Sequence, residues 1–103
     1  MNSTVQWLVA ARKLIERPEN WFSFSYHGQR PEKLFCAFTA LRSARLDGFD
    51  AYDLIDTTSA PFQYFRLAAG CEDIIAWNDA PERTHAEVLA AFDRAIALAE
   101  SAR

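Results

Sequence analysis

Residues 84–101 read THAEVLAAFDRAIALAES, and this stretch decides the fold class of the chain. Thr84 and Glu87 have the spacing of a capping box, in which each side chain binds an N–H group that the first helical turn leaves unpaired. Apolar residues then recur at intervals of three and four, the pattern of a helix with one buried face. We therefore predict a long C-terminal helix, ending near Ser101, whose buried face is formed by Val88, Leu89, Phe92, Ala95, Ile96 and Ala99.

Two further helices are predicted in the first half of the chain. The first begins near Ser3 and ends before Pro18, because the residue before a proline is pushed out of the helical region. Its apolar face consists of Trp7, Leu8, Ala11, Leu14 and Ile15. The second helix runs from Pro31 to about Arg45, since proline is favoured in a first turn. It is apolar nearly all round, which indicates the central, buried helix.

Shorter elements are predicted after residue 45. A helix of one or two turns capped by Asp50 fits residues 46–57, and a third main helix begins at a Ser59 cap and stops at Gly70. Residues 71–77 fit either a helical turn or a buried strand. Together the elements predict one domain over residues 1–103. It is mainly α, a compact bundle of about four helices with irregular connections and at most one short β-ribbon.

Residues 19–30 form the one stretch with strand-like alternation. Trp21, Phe22, Phe24 and Tyr26 interleave with serines, and Gly28 closes the segment with a turn. We expect an extended arm that lies across the helices. Because exposed aromatic side chains usually mark interfaces, we expect some of these four residues to remain partly exposed and to form a contact surface for another protein or for a second copy of the chain.

Composition argues against several classes of partner. The 103 residues carry 11 basic and 14 acidic side chains, a formal net charge of −3. A nucleic-acid-binding protein usually shows a basic stripe, and none is visible, so we expect no nucleic-acid partner. No apolar run approaches the roughly 20 residues of a membrane span, and no export signal is seen. We therefore expect a cytoplasmic protein without a membrane partner.

The cysteines and histidines do not form a recognisable catalytic or metal site. Cys36 and Cys71 are expected to be reduced, mostly buried thiols, with a disulfide between them as the alternative. The spacing of zinc ligands is absent, and the aspartates between residues 47 and 56 do not follow the calcium-loop pattern. A Cys36 nucleophile would need His27 or His85 as a base, and nothing in the sequence brings them together. We assign no catalytic residue, no metal ligand and no cofactor.

Residues 77–84 read WNDAPERT and are the most information-dense segment of the chain. In a structural interpretation, Asp79 accepts hydrogen bonds from Arg83 and from the following turn, Thr84 caps the last helix, and a buried Trp77 holds the turn against the core. The alternative is a binding site, in which Asn78, Asp79 and Arg83 converge on a polar ligand.

With these motifs, the sequence resembles a family of small bacterial and phage-borne proteins classed as a domain of unknown function. The resemblance rests on a W-N-D-x-P-x-R-T turn before a Val/Leu/Ala-rich helix and on a Cys-Ala…Ala-Leu pattern, here in residues 36–41 (CAFTAL). It spans nearly the whole chain, although members of the family often carry glycine where Phe38 and Thr39 stand. It implies the helical fold, suggests carriage on mobile elements and gives no activity.

Two functions from different classes follow from the sequence. The favoured one is a small non-enzymatic protein-interaction module that binds a protein partner or associates with itself. The alternative is an enzyme or small-ligand binder with a polar site around Asp79 and Arg83. An enzyme needs a concave pocket lined by titratable groups, whereas an interaction module presents an exposed apolar patch.

Overall fold

Five α-helices and one short 3-10 helix make up most of residues 3–23, 34–44 and 59–102, the residues that the computed structural model describes. The predicted mainly α bundle is confirmed. The short helix predicted at Asp50 lies outside these ranges. The elements are α1 (Ser3–Leu14), the 3-10 helix (Pro18–Asn20), α2 (Ala37–Ser43), α3 (Ala60–Ala69), α4 (Ile74–Asp79) and α5 (His85–Ser101).

The apolar core draws residues from all five helices, and α5 packs along both α3 and α1. The stripe predicted for α5 faces the core: Val88, Phe92, Ala95 and Ala99 are buried, and Leu89 and Ile96 are partly buried against it. The Phe92 ring lies 4.7 Å from the Phe65 ring of α3, measured between centroids. Burying one aromatic ring removes roughly 150–250 Å² from water, so this pair is a large part of the contact between the two helices. No helix in the described ranges has both the length and the apolarity needed to cross a membrane.

The predicted face of α1 is also confirmed. Leu8, Ala11 and the following Ile15 are fully buried. Trp7 lies at the edge of the core, where its Nε1 donates to the Leu41 carbonyl oxygen at 2.6 Å. This hydrogen bond ties α1 to α2, because an indole can bury its ring while its N–H binds a carbonyl at the rim.

The second helix begins later than predicted. Residues 34–36 are not helical, and α2 starts at Ala37 with Cys36 as its cap. The Cys36 amide donates to Thr39 Oγ1 at 2.9 Å, and the Thr39 amide donates to Cys36 Sγ at 3.5 Å. This reciprocal cap occupies N–H groups that the first turn leaves unpaired. The predicted start at Pro31 is therefore wrong over residues 34–36, while residues 31–33 lie outside the described ranges.

Residues 34–36 pair instead with the arm that follows α1. Trp21 and Phe35 form an isolated parallel β-bridge. The Phe22 amide donates to the Phe35 carbonyl at 2.9 Å, and the Phe35 amide donates to the Asn20 carbonyl at 3.0 Å. The predicted extended arm thus pairs with residues 34–36, which were predicted to be helical.

The ends of α3 and the start of α4 are set by local chemistry. Ser59 occupies the cap position of α3 as predicted, but its hydroxyl makes no capping bond. Gly70 stops α3 as predicted, in the left-handed conformation with φ +69°, and its amide donates to the Arg66 carbonyl at 2.8 Å. Residues 71–77 lead into a helix rather than a strand, because the Asp73 carboxylate accepts from the Ala76 amide at 3.1 Å and caps α4.

Candidate functional site

The WNDAPERT segment covers the end of α4, a turn and the cap of α5. Trp77, Asn78 and Asp79 are the last three residues of α4. The prediction that Asn78 and Asp79 belong to the turn is therefore wrong, since the cap at Asp73 starts a helix that includes them. The turn itself is closed by a hydrogen bond from the Arg83 amide to the Ala80 carbonyl oxygen, at 2.9 Å.

Asn78 is a fully buried hydrogen-bonding centre. Its Oδ1 accepts from Trp21 Nε1 at 2.8 Å and from the Ala37 amide at 3.0 Å. Its Nδ2 donates to the Phe22 carbonyl at 2.8 Å and to Asp79 Oδ1 at 3.0 Å. A carboxamide offers two N–H donors and two acceptor lone pairs, and these four bonds use all of them. Asn78 therefore ties the arm and the start of α2 to α4.

Arg83 is held against the tryptophan of the same segment. Its guanidinium carbon lies 4.1 Å from the Trp77 ring centroid, and its Nε donates to the Trp77 carbonyl at 2.9 Å. Its Nη1 lies 3.5 Å from Glu87 Oε2, and only 16% of its side chain is exposed. These acceptors differ from the Asp79 carboxylate that the sequence proposed for Arg83. Asn78 and Asp79 are thus bonded to each other, and Arg83 is bonded to Trp77 and Glu87.

The predicted capping box of α5 is confirmed. The Glu87 amide donates to Thr84 Oγ1 at 3.2 Å, and the Thr84 amide donates to Glu87 Oε1 at 2.9 Å. The carboxylate also lies at the positive end of the helix dipole. Thr84 and Glu87 therefore fix the start of α5 and hold the carboxylate beside Arg83.

A small polar pocket of about 190 Å³ opens beside Arg83. α5 contributes Glu87, Ala90 and Arg94 to its wall, and the remaining wall residues are Ala69, Trp77 and Arg83. Arg94 Nε donates to the carbonyl oxygen of Ala68 in α3 at 3.1 Å. Arg94 is not among the predicted site residues, although residues 87, 90 and 94 have the spacing of one helix face and Glu87 of the capping box lies on that face.

A second concave surface, which we call the Leu67 groove, lies at the C-terminal end of α3. It has a volume of about 390 Å³ and is lined by Gln63, Arg66, Leu67, Gly70, Cys71 and Glu72. Leu67 is 71% exposed, the highest value among the large apolar side chains in the described ranges. Arg66 Nε donates to the Glu72 carbonyl at 2.9 Å, which joins the two sides of the groove.

Half of the aromatic contact surface predicted in the arm is buried. Trp21 is 6% exposed and Phe22 is 1% exposed, so neither of these two residues is available for the predicted contact surface. Their burial follows from the bonds to Asn78 and Phe35. Phe24 and Tyr26, the other two predicted contact residues, lie outside the described residues.

The cysteines and His85 have separate partners. Both cysteines are free, and Cys36 is buried whereas Cys71 is partly exposed. Burial raises the pKa of the Cys71 thiol above its ordinary value and outweighs the opposing effect of Arg66. His85 Nε2 lies 2.6 Å from the Ile15 carbonyl oxygen. Within the described ranges, no three His, Cys, Asp or Glu side chains are grouped so that they could hold a metal ion.

Comparison with known proteins gives a family and no activity. The sequence model of a family of unknown function, DUF6197, matches residues 1–98. No curated protein and no solved structure matches the chain.

Proposed function

The chain belongs to the DUF6197 family of unknown function, and we propose that it acts as a non-enzymatic protein-interaction module that associates with a second copy of itself through the Leu67 groove. The observation that carries this proposal is a highly exposed leucine beside a groove that bears one positive and one negative side chain. We place this role in the cytoplasm, where free thiols persist. Carriage on a mobile element remains a prediction, to be checked from the neighbouring genes.

The partners of the reactive side chains support a non-enzymatic role. A nucleophile and its base need to be within hydrogen-bonding reach of each other. The Cys36 sulfur accepts from the amide of Thr39, whereas His85 binds the Ile15 carbonyl. A carbonyl can only accept, so His85 Nε2 must carry the hydrogen. Both groups therefore serve contacts within the fold.

The exposed apolar side chains support an interaction surface. In the described ranges, the exposed large apolar side chains are Leu67 at 71%, Ile75 at 44% and Leu98 at 41%. When a partner covers exposed apolar groups, the association is favoured by about 25 cal/mol per Å² of apolar surface removed from water. Leu67 has the most to gain, and it lies at a groove large enough to receive a side chain from another molecule.

The charges of the groove suit a second copy of the chain. A two-fold interface uses the same patch on both molecules, so the patch must be complementary to itself. The Leu67 groove carries the basic side chain of Arg66 and the acidic side chain of Glu72. We propose a two-fold axis through the groove that sets Arg66 of one copy opposite Glu72 of the other, with Leu67 of each copy in the groove of its partner. We expect an interface smaller than the roughly 1,200 Å² of stable complexes, and hence a weak dimer.

Sedimentation velocity over a wide range of concentration tests this proposal. The wild-type chain should change from monomer to dimer as its concentration rises, and Leu67→Glu should remain a monomer. Leu98→Glu is the matched control, because it makes the same substitution at another exposed leucine. Arg66→Glu should weaken the dimer, and the double variant Arg66→Glu/Glu72→Arg should restore it. A wild-type chain that is monomeric at every concentration, or a dimer that only Leu98→Glu disrupts, would contradict the proposal.

A further inference from the structure

The pocket beside Arg83 carries an inference that goes beyond self-association. We propose that this pocket binds a small oxyanion, a phosphate or a carboxylate, between the guanidinium groups of Arg83 and Arg94. It is lined by residues of α3, α4, α5 and the turn between α4 and α5, and the Leu67 groove shares none of them. The wall residues Trp77 and Arg83 belong to the WNDAPERT segment, so this site would give part of that motif a role in binding.

Both arginines are anchored in the same manner. Arg83 Nε donates to the Trp77 carbonyl at 2.9 Å, and Arg94 Nε donates to the Ala68 carbonyl at 3.1 Å. These two bonds leave the Nη groups of Arg94 and Nη2 of Arg83 for a ligand, whereas Arg83 Nη1 lies 3.5 Å from Glu87 Oε2. Guanidinium N–H donors suit carboxylate and phosphate oxygens. The Trp77 ring further limits the motion of Arg83, at 4.1 Å from the guanidinium carbon. Such preorganisation lowers the entropic cost of binding.

The charge of the wall favours an anion. Arg83 and Arg94 contribute two positive charges, and Glu87 contributes one negative charge. The wall therefore carries one net positive charge in a chain whose net charge is −3. Glu87 accepts from the Thr84 amide and lies beside Arg83. Its charge offsets one of the two arginine charges, so one net positive charge remains for an anion.

The size of the pocket limits the ligand to a small group. Its volume of about 190 Å³ is roughly that of six water molecules, at about 30 Å³ each in the liquid. Sites for drug-sized ligands are larger, about 300–1,000 Å³. The pocket exists because Ala69 and Ala90 end at Cβ, and a longer side chain at residue 90 would fill it.

NMR titration of the folded chain tests the proposal directly. The Nε–H signals of Arg83 and Arg94 and the Nε1–H signal of Trp77 are followed while sodium phosphate or sodium acetate is added at constant ionic strength. At least one of the two anions should give saturable shifts confined to the pocket, and their relative affinities show which oxyanion the site prefers. Sodium chloride should not saturate the same signals.

Three variants separate the pocket from general electrostatics. Arg94→Gln should weaken binding by roughly tenfold or more, as expected for loss of a charged hydrogen bond. Arg42→Gln removes the same charge at an exposed site on α2 and should leave binding unchanged. Ala90→Leu should block binding by filling the pocket, although it changes no charge and leucine is a good helix former. It provides the test if Arg94→Gln fails to fold. Shifts that grow linearly with both anions, or equal losses in Arg94→Gln and Arg42→Gln, would overturn the proposal.

Discussion

Replacement of Asn78 by alanine should cost more stability than any other single polar substitution in the WNDAPERT segment. The change removes the acceptor of the fully buried Ala37 amide, which costs about 1–3 kcal/mol. It also removes the hydrogen bonds to Trp21 Nε1 and to the Phe22 carbonyl, at about 1 kcal/mol each. Together the loss is about 3–5 kcal/mol, against a total stability of about 5–15 kcal/mol for a typical domain.

Urea unfolding, followed by far-UV circular dichroism and by tryptophan fluorescence, measures this loss. Asn20→Ala is the matched control, because Asn20 is partly exposed and its described contact to Phe35 is made by the main chain. Its effect should stay within about 0.5 kcal/mol. In thermal melts, Asn78→Ala should lower Tm by at least about 12 °C. A loss below about 1 kcal/mol in a variant that unfolds in one step would refute the hydrogen-bonding role assigned to Asn78.

Four further predictions concern the α5 cap, the α3 terminus and the two thiols. Thr84→Ala should cost about 0.5–2 kcal/mol in urea unfolding, and an unchanged midpoint would show that the cap is not stabilising. Gly70→Ala should cost about 1 kcal/mol because alanine is strained in the left-handed conformation; a clash is not the cause, since a Cβ there meets nothing within 4 Å. In thermal melts, Gly70→Asn should cost less than Gly70→Ala, and equal losses would argue against strain. Because burial raises the pKa of Cys71, the unfolded chain loses its thiol proton first, so stability should fall as pH rises above about 8.5. Cys71→Ser should lack this fall, and an identical pH profile would contradict it. In the native chain, a thiol reagent should modify Cys71 slowly and Cys36 only on unfolding, and rapid modification of Cys36 would contradict its burial.

The elements that could be predicted from the sequence are those with local causes. The box formed by Thr84 and Glu87, the helix stop at Gly70 and the apolar stripe of α5 each depend on residues within a few positions of one another. The start of α2 depends on a local cap too, but a cysteine sulfur at Cys36 is an uncommon capping acceptor. Proline at residue 31 was the stronger conventional signal for a helix start, and it misplaced the boundary.

The features that the sequence could not give are those made by distant segments. Asn78 bonds to Trp21 and Ala37, which lie 57 and 41 positions away, and no periodicity in one segment reports such a contact. The same bonds explain why Trp21, one of the four candidate contact residues, is buried. Arg94 joins the pocket through Ala68, 26 positions away, so its role became visible only when α3 and α5 were placed side by side.

Hydrogen exchange at the Ala37 amide tests most directly the central claim that Asn78 joins α2 to α4. The first amide of a helix has no acceptor within the helix, and such groups normally exchange rapidly with solvent. The His85 amide occupies the same first position in α5 and serves as the internal control. With Asn78 Oδ1 accepting at 3.0 Å, the Ala37 amide should exchange only on global unfolding, far more slowly than that of His85. Equally rapid exchange at both amides in the native chain would contradict the claim.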